Sequence, residues 1–527
     1  MFVARALRSP ITHCCSALIL FFAAAIMLDP TVRTSAATSP DSLVGFDDFV
    51  QSVMKEYQTP GIAIGIVKDD QVLLCRGYGT RNVNKTGPIN GKGYQVSEDT
   101  LFMIASCTKS FTAAALGTLV DEKKLTWDTP VVNVLPGFRL KDDYATLNAT
   151  ARDFLAHRSG LPPFGADLFD KLGYERKVIL HHLRYLDPAC TFRERAGYSN
   201  PGYFIAGMLA AHASGASWDD LIRKRLFEPL GMTGSSTTHQ DALKIRNRAE
   251  AHFPGPGGQP RVVPWENHDP LGPAGSINST AADMTRWVRM LLNEGQLDGK
   301  RVLKPETVRE MFAPAMVSPL TLAELPPIND AAGFTFTMGW GNFHYQGYEV
   351  IEKGGARAGM RACVVLVPAK KFGVVVLANM NLTVAPEVIR AWLLERFVAP
   401  SGQDLQKGFR EGAARIQQLF EEAAKARPKR EGPPTRPLPA YAGIYENDLF
   451  GKVTVKMVDG NLRWEAGPAK FGGTLEHASY DTFMLGYPDG LNSLPEPITF
   501  TIGPDGKAEA LECHTLGRMK AVTEKKD

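Results

Sequence analysis

The sequence predicts an α+β fold, in which an antiparallel sheet is flanked by helices and carries a helical lobe, followed by a small all-β domain. β-rich runs near both ends of the first 400 residues predict the sheet, and helical patterns between them predict the lobe. A Pro-rich stretch followed by short strands and turns predicts the second domain, which we expect to be a partial barrel. The main domain should span 38–400, a helical and Pro-rich linker 401–439, and the β domain 440–527.

Residues 1–37 have the layout of a secretory signal. Arg5 and Arg8 precede an apolar core at 17–28, and small residues at 35–37 offer a cleavage site. The core is short for a membrane span, which needs about 20 apolar residues, although an uncleaved anchor is the alternative. We therefore expect a secreted or periplasmic protein with no stable membrane span after cleavage.

Composition excludes several classes of partner. The net charge of the 527 residues is +3, which gives no electrostatic reason to expect nucleic acid. Of the 7 cysteines, those beyond residue 37 are scattered and contain no C-x-x-C pair, so neither a zinc site nor a disulfide framework is indicated. Nothing in the composition indicates an oligomeric state.

The elements of the main domain follow the order helix, strands, helices, strands, helix. A first helix is expected at 42–57, before a hairpin with strands at 61–67 and 71–77 around an Asp-Asp turn. Apolar spacing predicts later helices at 151–157, 201–214, 279–293 (opening with Ser279 as N-cap) and 385–398. Further strands are expected at 348–352, 360–367 and 372–378. The sheet is therefore expected to be assembled from both ends of the domain.

The composition and the residue pattern of the chain change near residue 400. A charged amphipathic pattern predicts a helix at 406–426, and the Pro-rich stretch 427–439 predicts a stiff, solvated linker. Short strands follow, beginning at 452–458 and 461–464 on either side of an Asp-Gly turn. These signals predict the separate β domain.

Ser106 and Lys109 form an S-x-x-K motif at the start of an apolar helical run. Residues three apart share one face of a helix, so the Ser106 Oγ and Lys109 Nζ atoms can meet across one turn. A serine hydroxyl becomes a nucleophile when a neighbouring group takes its proton, and burial lowers the pKa of a lysine enough for that role. The motif is weak alone, because Ser52 and Lys55 have the same spacing in an ordinary amphipathic pattern.

Tyr198 and Asn200 form a Y-x-N motif where a loop enters a helix. A phenol beside a lysine ammonium loses its proton more easily, which makes Tyr198 a candidate general base. The Asn200 amide is able to hold Lys109 or a substrate. Taken alone, the pair also fits an ordinary helix start.

Lys353, Gly354 and Gly355 are expected to end one strand and lead to the next. Lys353 would then point into a cleft, and the glycines would let a substrate backbone approach closely. A plain β-turn is the alternative interpretation. The three motifs in this order are a stronger signal than any one of them.

With these motifs, the sequence resembles the serine β-lactamase-like and penicillin-binding-protein hydrolases. Its overall sequence pattern is most similar to that of class C β-lactamases, family VIII esterases and D-aminopeptidases. The stretches at 155–162, 227–232 and 273–284 look similar as well. The resemblance covers about residues 42–400, and the tail resembles a domain of unknown function that is often appended to such hydrolases.

The resemblance implies a β-lactamase/transpeptidase-like fold and an acyl-enzyme mechanism that uses no metal or cofactor. Ser106 would attack a carbonyl carbon, and Lys109 and Tyr198 would share the proton transfers before water releases the acyl group. Backbone N–H groups of the nucleophile and of Ala356 would form the oxyanion hole. The implied substrate-binding residues are Asn200, Lys353, Gly354, Gly355 and Ala356.

One departure from the family pattern bears on the substrate. The third motif reads Lys-Gly-Gly, whereas the family has K-T-G. The missing threonine hydroxyl would otherwise help to bind the carboxylate of a β-lactam or D-Ala peptide, so an esterase or peptidase is favoured over a true β-lactamase. Arg357 or Arg361 is a candidate replacement for that carboxylate contact.

Other classes of protein fit the sequence less well. No G-x-S-x-G or H-E-x-x-H motif occurs, which argues against an α/β-hydrolase and a zinc peptidase. Four histidines are interpreted as surface or packed side chains: His157, His181, His182 and His239. The alternatives are a penicillin-binding receptor with weak or no turnover, in which the β domain recognises the ligand, and a class C-like β-lactamase. The expected partner is a small-molecule ester, peptide or β-lactam, and the β domain is expected to gate access to Ser106.

Overall fold

The computed structural model describes six stretches of the chain: 40–85, 93–318, 333–357, 359–402, 431–488 and 496–522, with scattered residues between 404 and 422. The expected signal segment and most of the expected helix at 406–426 lie outside the described residues.

An antiparallel sheet of eight strands forms the centre of the main domain. From one edge to the other, its strands are Gln71–Gly79, Gly61–Lys68, Phe372–Ala378, Met360–Val367, Tyr348–Arg357, Gly341–Tyr345, Thr335–Phe336 and Met316–Val317. Strand Gly61–Lys68 is the first in the chain, and it pairs with Phe372–Ala378, the last strand of this sheet in chain order. Ile62 lies opposite Ala378. The predicted α+β fold, with a sheet built from both ends of the domain, is confirmed.

The predicted hairpin between the first two strands turns at Asp69 and Asp70. Both residues have positive φ angles, 49° and 63°, as the two central residues of a type I′ turn require. The Asp70 carboxylate accepts hydrogen bonds from Arg289 Nε at 2.9 Å and from Asn293 Nδ2 at 2.7 Å. The turn is therefore tied to a helix that packs on the sheet.

Helices cover both faces of the sheet. Helices Phe46–Glu56 and Ala385–Phe397 lie on one face, where the Phe46 and Trp392 rings are 5.0 Å apart. Helix Ala281–Leu292 lies on the other face, with helix Thr108–Asp121 beyond it. The remaining helices form the lobe and its connections: Asp143–Asn148, Ala151–Leu155, Phe169–Leu172, Arg176–His182, Asn200–Ser214, Trp218–Ile222, Glu228–Leu230, His239–Lys244, Gly272–Gly275 and Pro305–Phe312.

Helix Thr108–Asp121 is buried on nearly all sides. Its residues Thr108 to Leu119 are all buried, as expected for a helix that is apolar around its whole circumference. The Phe111 ring stacks on Trp287 with a centroid distance of 3.9 Å. Close packing of this kind fixes the position and rotation of the helix, and with them the position of the residues at its N-terminus.

One predicted helix start is wrong by one residue. Ser279 belongs to a short strand, Asn278–Ser279, which pairs with Phe102–Met103. Thr280 is the N-cap instead, and its hydroxyl accepts a hydrogen bond from the Asp283 backbone N–H at 3.1 Å. Both residues are good N-caps, so the sequence alone does not distinguish them.

The C-terminal domain is an antiparallel barrel, which confirms the predicted all-β barrel, and its strands close fully where the sequence indicated a partial barrel. Its interior is filled by side chains that are almost completely buried, among them Tyr441, Tyr445, Trp464, Phe483 and Phe500. Its eight strands are Gly443–Asn447, Gly451–Val458, Asn461–Ala466, Phe471–Ser479, Thr482–Leu485, Glu496–Ile502, Ala508–Cys513 and Gly517–Val522.

In the portion of the chain that the structure describes, every helix is too short or too polar to cross a membrane.

The stacked ring of Phe111 allows a test of this packing. Phe111→Ala is expected to lower the free energy of unfolding by about 3–5 kcal/mol, because it leaves a cavity between two buried helices. Tyr144→Ala, at a side chain that is 66% exposed, is the control and should change it by less than about 0.5 kcal/mol. Urea unfolding followed by tryptophan fluorescence measures both, and equal losses would contradict the assignment of Phe111 to the core.

Candidate active site

Ser106 lies in a 3₁₀ turn, Ala105–Cys107, that leads directly into helix Thr108–Asp121. Ala105 has a φ angle of 47°, a left-handed conformation that costs a non-glycine residue energy and is maintained by its surroundings. Two hydrogen bonds to Ile277 hold the turn: its carbonyl accepts from the Ile104 N–H at 3.1 Å, and its N–H donates to the Thr108 hydroxyl at 3.0 Å. The position of Ser106 is therefore fixed from both sides.

Lys109 is fully buried and lies one helical turn from Ser106, as the S-x-x-K spacing predicts. Its Nζ atom donates to Ser106 Oγ at 3.2 Å, to Asn200 Oδ1 at 2.7 Å and to the Ala274 carbonyl at 2.7 Å. Burial lowers the pKa of Lys109 well below its usual value of 10.5, and the charge of Lys353 lowers it further. A neutral amine beside Oγ is able to take the serine proton.

Tyr198 lies close to two lysine side chains. Lys109 Nζ and Lys353 Nζ are each 5.0 Å from the centre of its ring. Its hydroxyl is buried close to Ser106 but forms no hydrogen bond of ordinary geometry with a described residue. Burial raises the pKa of Tyr198 above 10, by more than the Ser106 hydroxyl lowers it. Burial therefore opposes the ionisation expected of Tyr198 and keeps its phenol protonated, and its role as general base stays a prediction.

Asn200 begins helix Asn200–Ser214, which Ser199 caps by accepting a hydrogen bond from the Gly202 N–H at 3.1 Å. While its oxygen accepts from Lys109, its Nδ2 atom donates to Asp167 Oδ2 at 2.7 Å. The amide therefore contacts Lys109, as expected, and its orientation is fixed at both ends.

Asp167 was not identified from the sequence. Burial raises the pKa of its carboxyl group to about 7. The residue lies on an irregular loop, and no periodicity or spacing in the sequence relates it to Asn200. The one available signal is its position shortly after the stretch 155–162, which resembles the hydrolase family.

Lys353, Gly354 and Gly355 lie within strand Tyr348–Arg357, so the expectation that they end a strand is wrong. The strand continues because its neighbour Met360–Val367 pairs with it as far as Arg357. A Cβ atom on Gly355 would lie 2.2 Å from the Ile104 carbonyl oxygen. Glycine is therefore required there for the approach of the turn before Ser106, and not only for a substrate as expected.

On this strand, Lys353 precedes the two glycines and Ala356 follows them. The Lys353 carbonyl accepts from Cys107 Sγ at 3.2 Å, and burial lowers the pKa of its ammonium group to about 8. The strand passes so close to the turn that a Cβ atom on Gly355 would lie 3.2 Å from the Ser106 nitrogen. The expected oxyanion donors, Ser106 N and Ala356 N, thus belong to adjacent segments.

The two candidate carboxylate-binding arginines are already paired. Arg357 Nη2 donates to the buried carboxylate of Asp170. Arg361 is 4% exposed and donates to Glu387 Oε1 at 3.1 Å. Arg361 is therefore too deeply buried to contact a substrate, and the charge of Arg357 is shared with Asp170.

His157 is a packed side chain, as the sequence analysis expected. Its ring stacks on Tyr198 with a centroid distance of 4.4 Å, and its Nδ1 atom accepts from the Ser199 N–H at 3.1 Å. Burial lowers the pKa of His157 well below 6.5, so the ring is neutral. It supports the loop that carries Tyr198. Within the stretches that the structure describes, no three His, Cys, Asp or Glu residues are arranged to hold a metal ion.

The chain is similar to known families and proteins along most of its length. A family model described as Beta-lactamase matches residues 46–398, and one described as a domain of unknown function (DUF3471) matches residues 427–524. An unguisins hydrolase of Aspergillus violaceofuscus is 26% identical over 88% of this chain and 87% of its own length. Penicillin-binding protein 4 of Amycolatopsis lactamdurans is 33% identical over 47% of this chain and 64% of its own length.

Solved structures share the fold. An octameric penicillin-binding protein homologue from Pyrococcus abyssi superposes with a TM-score of 0.58 and 23% identity, over 90% of this chain and 99% of that chain. A class C beta-lactamase superposes with a TM-score of 0.55 and 22% identity, over 69% of this chain and 98% of that chain. The expected β-lactamase/transpeptidase-like fold is confirmed.

The lowered pKa of Lys109 predicts how the reactivity of Ser106 depends on pH. The rate at which a fluorophosphonate reagent labels Ser106 should rise with pH as Lys109 loses its proton, with a midpoint well below 10.5. Lys109→Arg should slow labelling by about 100-fold or more, because a guanidinium does not give up its proton in this range. Ser52→Ala is the matched control for the second S-x-x-K motif and should leave labelling unchanged. Labelling that is independent of pH and of Lys109 would contradict the assigned base.

Proposed function

Since the chain belongs to the beta-lactamase family, we propose that it is a serine hydrolase that cleaves an ester or amide through an acyl-enzyme on Ser106. The observation that carries this proposal is the contact of a buried lysine with the serine hydroxyl, Lys109 Nζ to Ser106 Oγ at 3.2 Å. Burial of an amine costs free energy, and it lowers the pKa of Lys109. Beside a hydroxyl, an amine with a lowered pKa is able to accept the hydroxyl proton.

The geometry supports a sequence of steps. Ser106 Oγ attacks the carbonyl carbon while its proton passes to Lys109 Nζ. The negative charge on the carbonyl oxygen is held by the N–H groups of Ser106 and Ala356, and such donors are worth about 2.7–4 kcal/mol each. As the bond to the leaving group breaks, the departing oxygen or nitrogen takes the proton that Lys109 received from Ser106, directly or through the Tyr198 hydroxyl. Water then attacks the acyl-enzyme, and Ser106 regains its proton.

The substrate class we favour is an ester or a peptide rather than a β-lactam. Gly354 stands where the family has a threonine, so the hydroxyl that would contact a carboxylate is missing. Arg361 does not replace it, because it is buried against Glu387. The name of the unguisins hydrolases supports hydrolysis as the reaction. The name of penicillin-binding protein 4 instead supports a β-lactam as the alternative ligand.

We include export to the periplasm or the exterior in this proposal. It rests on the basic, apolar and small-residue pattern of residues 1–37. The mass of the protein recovered outside the cytoplasm measures whether this segment has been removed.

Intact mass spectrometry tests the proposed reaction. The protein and its Ser106→Ala variant are exposed briefly to p-nitrophenyl butyrate, a β-lactam or a D-alanyl peptide, and product release is followed in parallel. We expect an adduct that depends on Ser106 and is released rapidly for the ester or the peptide. A persistent β-lactam adduct without release would indicate a penicillin-binding receptor instead, and the absence of every adduct would contradict the role of Ser106.

Gly354→Thr should shift the preference toward β-lactams. The new side chain restores the K-T-G pattern on a partly exposed position of strand Tyr348–Arg357 and supplies a hydroxyl for the substrate carboxylate. The rate of acylation by a β-lactam, divided by that of the neutral ester, should rise by about tenfold. Gly354→Val has the same shape without the hydroxyl and is the control. An equal rise in both variants would show that the hydroxyl is not the cause.

A further inference from the structure

The stretch of residues 164–182, called here the wall segment, lies between the candidate active site and the C-terminal barrel. It includes helices Phe169–Leu172 and Arg176–His182 and the loop before them. Two residues that are adjacent in this segment contact different domains. Asp170 pairs with Arg357 of the main domain, and Phe169 packs on Phe450 of the barrel with ring centres 5.3 Å apart. The segment therefore connects the two domains physically.

Polar contacts join the wall segment to one loop of the barrel. The Tyr174 hydroxyl donates to the Phe450 carbonyl at 3.0 Å, and His182 Nδ1 lies 2.8 Å from the Leu449 carbonyl oxygen. These bonds come from two different parts of the segment to consecutive residues of the barrel. They fix both the distance and the orientation of the loop.

A second barrel loop contacts the end of the shorter helix. The Ala469 N–H donates to the Leu172 carbonyl at 2.9 Å. A Cβ atom on Gly467 would lie 2.4 Å from the same carbonyl oxygen, and one on Gly173 would lie 2.7 Å from Ala469 Cβ. Glycine on each side of this contact permits an approach that any side chain would prevent.

The opposite side of the wall segment reaches the reacting groups. Asp167 accepts from Asn200 Nδ2, and Asn200 in turn accepts from Lys109, each at 2.7 Å. Asp170 pairs with Arg357 and also contacts His268 Nδ1 at 3.2 Å. A displacement of the segment would move these carboxylates, and with them the amide that holds the catalytic lysine.

The barrel itself is not built as a container. Its interior is occupied by packed aromatic rings, with Phe500 5.3 Å from Tyr441 and 5.6 Å from Phe483. An eight-stranded barrel holds a small ligand only where its interior side chains leave room. The contacts with the wall segment are therefore the better indication of what this domain does.

We propose that the C-terminal barrel is a positioning domain that holds the wall segment, and through Asp167 and Asn200 the amine of Lys109, in the geometry needed for attack by Ser106. This inference rests on the proposed function for its effect on turnover. Small displacements of a catalytic group are costly, since an error of about 1 Å lowers rates by about 100-fold.

A pair of glycine variants in the full-length protein tests the proposal. Gly467→Ala forces a methyl group against the Leu172 carbonyl, whereas Gly460→Ala, in another barrel turn, meets nothing within 4 Å. Both glycines have positive φ angles, 64° and 78°, so the two variants carry a similar backbone cost. We expect Gly467→Ala to lower kcat for the substrate identified by mass spectrometry by about tenfold with a smaller change in KM, and Gly460→Ala to change neither by more than about twofold.

Hydrogen–deuterium exchange provides a readout that is independent of turnover. In Gly467→Ala, exchange should increase at 164–172 and at 198–202, and in Gly460→Ala at neither. Increases at both stretches support the proposal, and no increase, or one confined to 164–172, overturns it. A protein without Ser106-dependent turnover would count against the proposed function alone, because exchange still decides this inference.

A milder pair covers the case in which Gly467→Ala does not fold. Tyr174→Phe removes one hydrogen bond to the barrel, and Tyr445→Phe removes one inside the barrel, from its hydroxyl to the Tyr441 carbonyl at 2.8 Å. Tyr174→Phe alone should increase exchange at 198–202 and lower kcat by about two- to threefold. Equal effects of the two variants would overturn the proposal, since they would reflect barrel stability and not its contact with the wall segment.

Discussion

The arrangement of the site depends on one constraint, the complete burial of the Lys109 amine. A buried ammonium is costly, and the described residues around Nζ make the neutral form accessible: they offer two side-chain oxygens and one backbone carbonyl, and no directly bonded carboxylate. A carboxylate in contact with Nζ would hold the proton and prevent the transfer. Asp167 instead lies beyond Asn200, so its charge reaches the amine through an intervening amide. The same burial raises the pKa of Tyr198 and keeps its phenol protonated, which leaves Lys109 as the available base.

The packing around helix Thr108–Asp121 is what keeps that burial intact. The Phe111 ring of this helix stacks on Trp287. At the N-terminus of the helix, strand Tyr348–Arg357 passes close by, and Gly355 lies against Ile104. These two contacts come from elements far apart in the chain. Ser106 is thus located by the core of the domain and not by a flexible loop, as preorganised sites require.

The parts of the structure that the sequence predicted are those that local patterns determine. Ser106 and Lys109 are one helical turn apart, so their contact follows from spacing alone, and the hairpin at Asp69 and Asp70 follows from turn chemistry. The position of Asp167 depends on how two distant segments pack, which no periodicity encodes. The continuation of strand Tyr348–Arg357 past Lys353 depends on the pairing of its neighbour, and the pKa of Tyr198 depends on burial that only the assembled structure reveals. Local rules therefore located the motifs, and tertiary packing decided their chemistry.

The pairing of strand Gly61–Lys68 with Phe372–Ala378 has a consequence for the timing of folding. The sheet is complete only when the chain has been made as far as residue 378. Until then, no strand occupies the interior position between Gly61–Lys68 and Met360–Val367. Contacts so distant in sequence form slowly, since the intervening loop must close first. A partly synthesised chain accordingly lacks the strand that joins Gly61–Lys68 to Met360–Val367, and with it a complete sheet. We therefore expect the proposed nucleophile, Ser106, to acquire reactivity only when the whole domain has closed.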